Sequence, residues 1–170
     1  MIKVRIEQKP AFQVIGKKIW ISGQENEIFG EFWKNSRENG LVNRLKELYH
    51  QKHNPILNSA VVGISCVEKE PSLRSFYFYI AAEADAPAKI LSHNPDLELY
   101  TVAASDWAVF ENRGSLPEAL IAAEMYAFME WLPASEFIHA NAPEMELYPP
   151  APDSNTHNDY VEFWLPIRKK

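Results

Sequence analysis

The feature that most constrains this chain is an apolar pattern that runs through the same order twice. Alternating and continuous apolar runs predict strands near Ile2 to Gln8 and Phe12 to Ile21, a helical region from about Asn26 to Gln51, then strands near Ala60 to Val67 and Ser75 to Ala82. The second half repeats this order, with strands near Leu97 to Ala103 and Trp107 to Arg113, a helix from about Pro117 to Trp131, and strands near Glu144 to Tyr148 and Tyr160 to Ile167. The join, about Ala84 to Asp96, carries Pro87 and Asn94-Pro95 and is short enough to predict a crossover loop. The expectation is one domain over residues 1–170, with internal repeats of about 1–85 and 86–170.

The helices carry start and stop signals. Ser22 and Glu25 have capping-box spacing, and Ile28, Phe29, Phe32 and Trp33 form an apolar stripe. Asn39-Gly40 ends that helix, and Leu41, Val42, Leu45, Leu48 and Tyr49 predict another segment before the breaker Asn54-Pro55. In the second half Ser115 is the candidate N-cap, and Ile121, Met125, Phe128 and Leu132 form the predicted sheet-facing stripe. One apolar face per helix implies an α+β fold: two strand-strand-helix-strand-strand halves related by a pseudo-twofold, building an antiparallel sheet with helices on one face, the second face left partly open, and a seam between the halves.

Composition excludes several functions. An apolar fraction of 46% with 24% charged residues is globular, and 12% aromatic residues is more ring surface than one small core requires. A net charge of −6 with scattered basic residues argues against a phosphate-binding footprint. Cys66 has no second cysteine to pair with, and its neighbours Val61, Val62, Ile64 and Val67 predict a buried strand. The N-terminus alternates apolar and charged residues unlike a signal peptide, and no run reaches the roughly 20 apolar residues of a membrane span, so a cytoplasmic protein without membrane contact is expected.

The chemically suggestive segment is Pro143-Glu144-Met145-Glu146-Leu147-Tyr148. Strand alternation sends Met145 and Leu147 to one face and Glu144, Glu146 and Tyr148 to the other, so an acid stands beside a ring. In a cleft, that pair suits a flat organic cation. Other chemistry finds less support. His50 and His53 lack further ligands, and His93, His139 and His157 lie apart in loop-like sequence. A nucleophile elbow, a phosphate loop and a Cys-x-x-Cys pair are all missing, so neither a metal nor a cofactor is expected. The proline-rich stretch from Tyr148 to Asn155 reads as a stiff hairpin connection, with a groove-edge flap as the alternative.

Ordered motifs along nearly the whole chain resemble one family. They are Lys9-Pro10-Ala11-Phe12-Gln13-Val14-Ile15-Gly16, the helix with Phe32-Trp33, Phe76-Tyr77-Phe78-Tyr79-Ile80, Trp107-Ala108-Val109-Phe110-Glu111-Asn112-Arg113-Gly114, Trp131-Leu132-Pro133-Ala134-Ser135, Glu146-Leu147-Tyr148, and Glu162-Phe163-Trp164-Leu165-Pro166-Ile167. In this order they resemble the GyrI-like family, which includes AraC-type effector-binding domains, multidrug-responsive MerR-type regulators and DNA gyrase inhibitory proteins. The resemblance implies two fused strand-helix-strand-strand units with a ligand groove between them. It also implies a buried glutamate that meets a lipophilic cation, here Glu146, with aromatic side chains around the ligand rings. The implied ring set is Tyr148, Tyr79, Trp107 and Trp164, then Tyr77, Phe110, Trp33 and Trp20; a register slip of one residue exchanges this set with the core.

The first predicted strand begins at Ile2, leaving no helix-turn-helix, so direct nucleic-acid binding is not expected. The leading expectation is a standalone binding module for amphipathic, cationic, aromatic compounds. Two alternatives stay open. One, implied by the resemblance because some standalone relatives have this activity, is a hydrolase of strained cyclopropane-containing electrophiles, with Glu146 orienting or activating water and Tyr148 or Tyr79 donating a hydrogen bond. The other is a gyrase-inhibitor-like module whose partner is a protein.

Overall fold

Strand parity and pairing decide this architecture, and both are visible in a computed structural model that describes residues 1–23, 26–68, 71–151 and 159–170. In chain order the elements are β1 (Lys3–Lys9), β2 (Phe12–Ile21), α1 (Glu27–Glu38), α2 (Leu41–His50), β3 (Val62–Ser65), β4 (Phe76–Glu83) and α3 (Pro87–His93). They continue with β5 (Glu98–Val102), β6 (Ser105–Arg113), α4 (Glu118–Tyr126), β7 (Phe137–His139), β8 (Glu144–Leu147) and β9 (Tyr160–Lys169). All strands join one antiparallel sheet in the order β1-β6-β9-β8-β3-β4-β2-β5, with β7 added on β9. Exchanging β1, β2, β3 and β4 with β5, β6, β8 and β9 reverses that order onto itself. The β3–β8 pair is therefore the seam about which the two units, each with two strands before its main helices and two after, are related.

One face of the sheet carries the helices. Ile15, Phe76, Phe78 and Ile80 pack under α1 and α2, where Phe29, Phe32, Trp33, Leu41 and Leu45 meet them. Ala108, Phe110, Val161, Phe163 and Leu165 pack under α4 through Ala119, Leu120, Ala123 and Ala127. The two helix layers cover the two wings and leave the seam between them. Along the other face, Phe12, Val14 and Val102 from one wing share a cluster with Trp107, Val109 and Trp164 from the other, so the sheet curls around that face and closes it. A polar network is built into this closure: Glu162, 5% exposed, accepts hydrogen bonds from Arg5 Nη2 at 2.9 Å, Tyr160 Oη at 2.8 Å and Trp164 Nε1 at 3.0 Å. Such a buried carboxylate is tolerated because its oxygens are satisfied.

Several expectations are corrected. The predicted loop between the halves contains α3, whose Pro87 stands in the first turn, where a missing N–H costs nothing. The predicted α4 stripe is wrong. Ile121, Met125 and Phe128 are exposed, while Ala119, Leu120, Ala123 and Ala127 face the sheet, because small side chains let this helix approach it closely. Beyond α4 the chain makes a π-helical turn, Ala127–Trp131, and a short helical turn, Leu132–Ala134. Val67 is exposed past the end of β3, and Cys66 is half-buried against the core of the curled face. Helix α1 takes Asn26 as its N-cap; Glu25 of the expected capping box lies outside the described residues, as do His157 and the part of the proline-rich connection from Pro152 to Asn155. No helix is long and apolar enough to cross a membrane among the described residues.

Candidate functional site

At the seam, Glu146 of β8 pairs with Gly63 of β3. The glycine is what lets the glutamate lie there. A Cβ at position 63 would stand 2.5 Å from Glu146 Cγ and 2.7 Å from Cδ, well inside the roughly 3.5–4.0 Å at which carbons pack. Two residues on, the same strand face presents Tyr148, whose hydroxyl donates a short hydrogen bond to Glu146 Oε2. The Tyr148 backbone is fixed in turn, since its N–H donates to Ser59 Oγ at 2.9 Å and Ser59 Oγ donates to the Val61 carbonyl at 2.7 Å. Trp33 of α1 closes edge-on against the Tyr148 ring, with centroids 5.5 Å apart at 83°.

Above this floor lies a cavity of about 1170 Å³, the space left where the two helix layers diverge. Phe29, Gly30 and Trp33 of α1 form one wall, and Leu120, Ile121 and Glu124 of α4 with Phe128 form the other. Glu144, Glu146, Tyr148 and Ser65 make the floor, and His139 closes one end. Further charged groups line it: Glu27, Arg37 and Lys46 are exposed, and Glu68 and Arg74 are half-buried. Arg74 lies over the Phe29 ring at 5.6 Å. The Trp33 indole N–H is buried without a hydrogen-bond partner among the described residues.

The carboxyl groups differ sharply in their surroundings. Burial pushes Glu146 up to about 7, opposed only by the Tyr148 hydrogen bond. Glu124 is pushed up to about 8, first by burial and then by the nearby charges of Glu146 and Glu144, with Arg74 pulling the other way. Burial, together with Glu146, also holds the Tyr148 phenol well above its ordinary range. Among the described residues neither Glu124 nor Glu146 has an ion-pair partner. Glu144 is different, because His139 Nε2 lies 2.9 Å from its Oε2. The His139 tautomer follows from the other nitrogen: Nδ1 accepts the Asn141 backbone N–H at 2.9 Å, which leaves Nε2 as the donor to Glu144. No group of three or more His, Cys, Asp or Glu side chains is placed to hold a metal ion among the described residues.

Of the nine side chains expected at the site, the structure brings Glu146, Tyr148 and Trp33 to this cavity. The pairing Gly63↔Glu146 and Gly63↔Ile80 puts Ile80 on the cavity face, and Tyr79 with its same-face neighbour Tyr77 on the other. Trp164 pairs with Met145 and shares the curled face with Trp107, 5.9 Å away between ring centroids. Trp20 packs on Tyr77 on that same face. Tyr79, Trp107, Trp164, Tyr77 and Trp20 are thus corrected to the opposite side of the sheet, the one-residue exchange that strand parity allows. Phe110 is on the helix face but fully covered by α4, against Trp131 and Phe163.

The residues missed are Gly63, Glu124, Glu144 with His139, Phe29 and Phe128. Two had a signal. Gly63 is an isolated glycine in an apolar strand run, the mark of a close approach, and Glu124 is the lone acid inside the apolar stretch from Ala119 to Phe128. The His139–Glu144 pair spans the Asn141 turn and had none.

Comparison with known proteins agrees with this architecture. SAV2435, solved bound to tetraphenylphosphonium, superposes with a TM-score of 0.77 at 21% identity, covering 98% of this chain and 94% of that one. A putative transcription regulation protein from Staphylococcus aureus MU50 matches with a TM-score of 0.69 at 18% identity, covering 98% of each chain. The C-terminal domain of EcmrR matches with a TM-score of 0.63 at 14% identity, covering 100% of this chain and 99% of that one. At these identities the likeness establishes a shared fold. No curated protein matches the sequence significantly. A family model described as the GyrI-like small-molecule-binding domain matches residues 2–168, and the chain belongs to that GyrI-like family.

Proposed function

We propose that the cavity receives amphipathic aromatic organic cations, with Glu146 as their counter-charge and Trp33 and Tyr148 as ring contacts. The observation that carries this reading is a half-buried carboxyl with no cationic partner among the described residues, hydrogen-bonded to a phenol on the floor of a cavity walled by apolar and aromatic groups. A site of this kind rejects anions and gives neutral ligands no electrostatic gain. Bringing a cation to about 4 Å from the carboxylate gains on the order of 4 kcal/mol at an effective dielectric near about 20, before desolvation. Cation–π contacts add about 0.5–2 kcal/mol each. Micromolar affinity, about −8 kcal/mol, then requires apolar burial against Phe29, Leu120 and Phe128 to supply the rest and offset association entropy. The tetraphenylphosphonium bound by SAV2435, which shares this fold, belongs to the same ligand class and supports the reading. Ring stacking and one charge specify little geometry, so broad selectivity is expected. The protein would act by sequestering the ligand or presenting it to a partner.

The test is a fluorescence titration that uses Trp33 as the cavity reporter. Tetraphenylphosphonium and a planar aromatic cation are compared with tetraphenylborate, which has nearly the shape of the former and the opposite charge. Saturable quenching by the cations alone, weakened in Glu146→Gln and absent in Trp33→Phe, is the expected result. Equal response to cation and anion, or an unchanged response in Glu146→Gln, rejects the reading.

One observation also favours a hydrolytic alternative: a carboxyl that exchanges its proton near neutrality beside a phenol is suited to general acid–base chemistry. Mass-spectrometric product formation from a cyclopropane-containing electrophile, lost in Glu146→Gln, would favour it over binding alone; no turnover would reject it.

A further inference from the structure

Binding of a single cation leaves Glu124 unexplained. This carboxyl projects from α4, whose Leu120, Ala123 and Ala127 are packed on the sheet and its flanks, and it lines the cavity wall above the floor on which Glu146 stands. It makes no hydrogen bond and no ion pair among the described residues. The groups acting on it come from several elements: Glu146 and Glu144 from β8 repel its charge, and Arg74, ahead of β4, attracts it. Glu144 is already engaged by His139, so two carboxyl groups on different elements remain without a charged partner. The lining around them, with Phe29, Trp33, Leu120 and Phe128, is apolar and aromatic.

We infer that the cavity is suited to aromatic dications, with one charge placed against Glu146 on the sheet, the second against Glu124 on α4, and the apolar spacer between them lying along the aromatic walls. This rests on the cation reading of the same cavity and names its ligand class. A monocation at Glu146 leaves Glu124 either protonated or as a desolvated charge without a partner. A dication compensates both carboxylates and displaces a proton from each, since burial holds both above the ordinary carboxylate range.

The experiment is isothermal titration of the whole protein with α,ω-bis(quinolinium)alkanes of increasing linker length. The controls are mono-quinolinium alkanes of matched length ending in a methyl group. Tighter binding of the dication by tenfold or more at one linker length, falling away for shorter and longer linkers, supports the inference. Glu124→Gln should weaken the dication more than the monocation and so remove that preference, and Glu146→Gln should weaken both compounds. Repeating the titration in buffers of different ionisation enthalpy should show up to about one more proton released by the dication than by the monocation. The linker series needs only the wild-type protein, so the test survives a variant that folds poorly. Monocations binding as tightly as dications at every length, or Glu124→Gln weakening both equally, overturns the two-pole arrangement while leaving the cation site intact. If neither class binds, both the two-pole arrangement and the cation reading beneath it fall.

Discussion

Gly63→Ala separates the position of the Glu146 carboxylate from the stability of the fold. The new methyl would stand 2.5 Å from Glu146 Cγ, 2.7 Å from Cδ and 2.8 Å from Oε1, so the side chain of Glu146 has to move by about 1 Å to reach ordinary contact. All three atoms belong to a side chain that can rotate. A distortion of about 30° from a rotamer costs roughly 0.5–1.5 kcal/mol, and surrendering the Tyr148 hydrogen bond costs about 1.5–3 kcal/mol. Replacing glycine within a strand returns about 0.5–1 kcal/mol. The net loss of stability is therefore about 1–4 kcal/mol, a fall in Tm of several degrees or more for a domain of this size. Cation affinity bears the displaced charge as well and should fall about five- to thirtyfold, equivalent to about 1–2 kcal/mol. Gly16→Ala is the contrasting control. Its Cβ would meet the Ile80 carbonyl oxygen at 2.1 Å and the Ala81 Cα at 2.6 Å, both backbone, so it should cost about 3 kcal/mol or more and leave affinity unchanged where the protein remains folded. Thermal melts and the Trp33 titration on both variants decide the matter. Wild-type cation affinity in Gly63→Ala, or an equal loss for a neutral ligand, would refute the claim that the glycine positions the charge.

The other predictions concern protons and the curled face. Because Glu146 and Glu124 are raised in the folded state, the folded protein binds more protons than the unfolded chain between about pH 4.5 and about pH 7 to 8, so stability should fall as pH rises through that window. Denaturant melts should accordingly find Glu146→Gln more stable than wild type at pH 8, by on the order of 1–3 kcal/mol, and the gap should close toward pH 5; a gap that widens on acidification contradicts the assignment. Tyr148→Phe removes the one hydrogen bond that opposes the shift, so carboxyl NMR should show Glu146 titrating higher still and cation affinity should weaken severalfold. Glu162→Gln removes one of three carboxylates around the Arg5 guanidinium on the far side of the sheet, and since Glu111 and Glu7 remain it should lower stability by about 1–2 kcal/mol while cation affinity stays unchanged.

What could be read from the residues follows from where alternation survives. In β8 it is strict: Met145 and Leu147 are each 1% exposed while Glu146 and Tyr148 face the cavity, so the order of six residues already puts acid and ring on one face. In β4, β6 and β9 both faces are buried, and runs such as Phe76 to Ala82 or Phe163 to Ile167 carry no polar residue to mark a side. The parity of Tyr79, Trp107 and Trp164 was settled only by pairing across the seam, information that no single strand contains. Helix α4 misled for a related reason. Bulk marks a buried stripe only when the helix stands off its support, and here Ala119, Ala123 and Ala127 allow close approach, leaving Ile121 and Phe128 to line the cavity and Met125 exposed.

The position of the cavity follows from the duplication of the strand order. Each unit brings helices over its own wing, and the reversal of strand order about β3–β8 places both helix layers away from the middle of the sheet. A seam flanked by two helix layers is a groove by construction, and its floor is the pair of strands that the two units contribute. The two contributions are unequal. One strand supplies Gly63 and the other supplies Glu146 directly opposite, so the space relinquished by the first is filled by the carboxyl of the second. Symmetry of the scaffold thus makes the groove, and a single asymmetric residue pair across its axis puts one charge in it. The wall of α4 adds Glu124, whereas α1 and α2 face the same space with the half-buried rings of Phe29 and Trp33 and with charged residues that are exposed. Charge on one wall and rings on the other give the groove a polarity that neither unit would have alone. Ligand orientation should follow from that difference, with aromatic surface toward α1 and cationic groups toward β8 and α4.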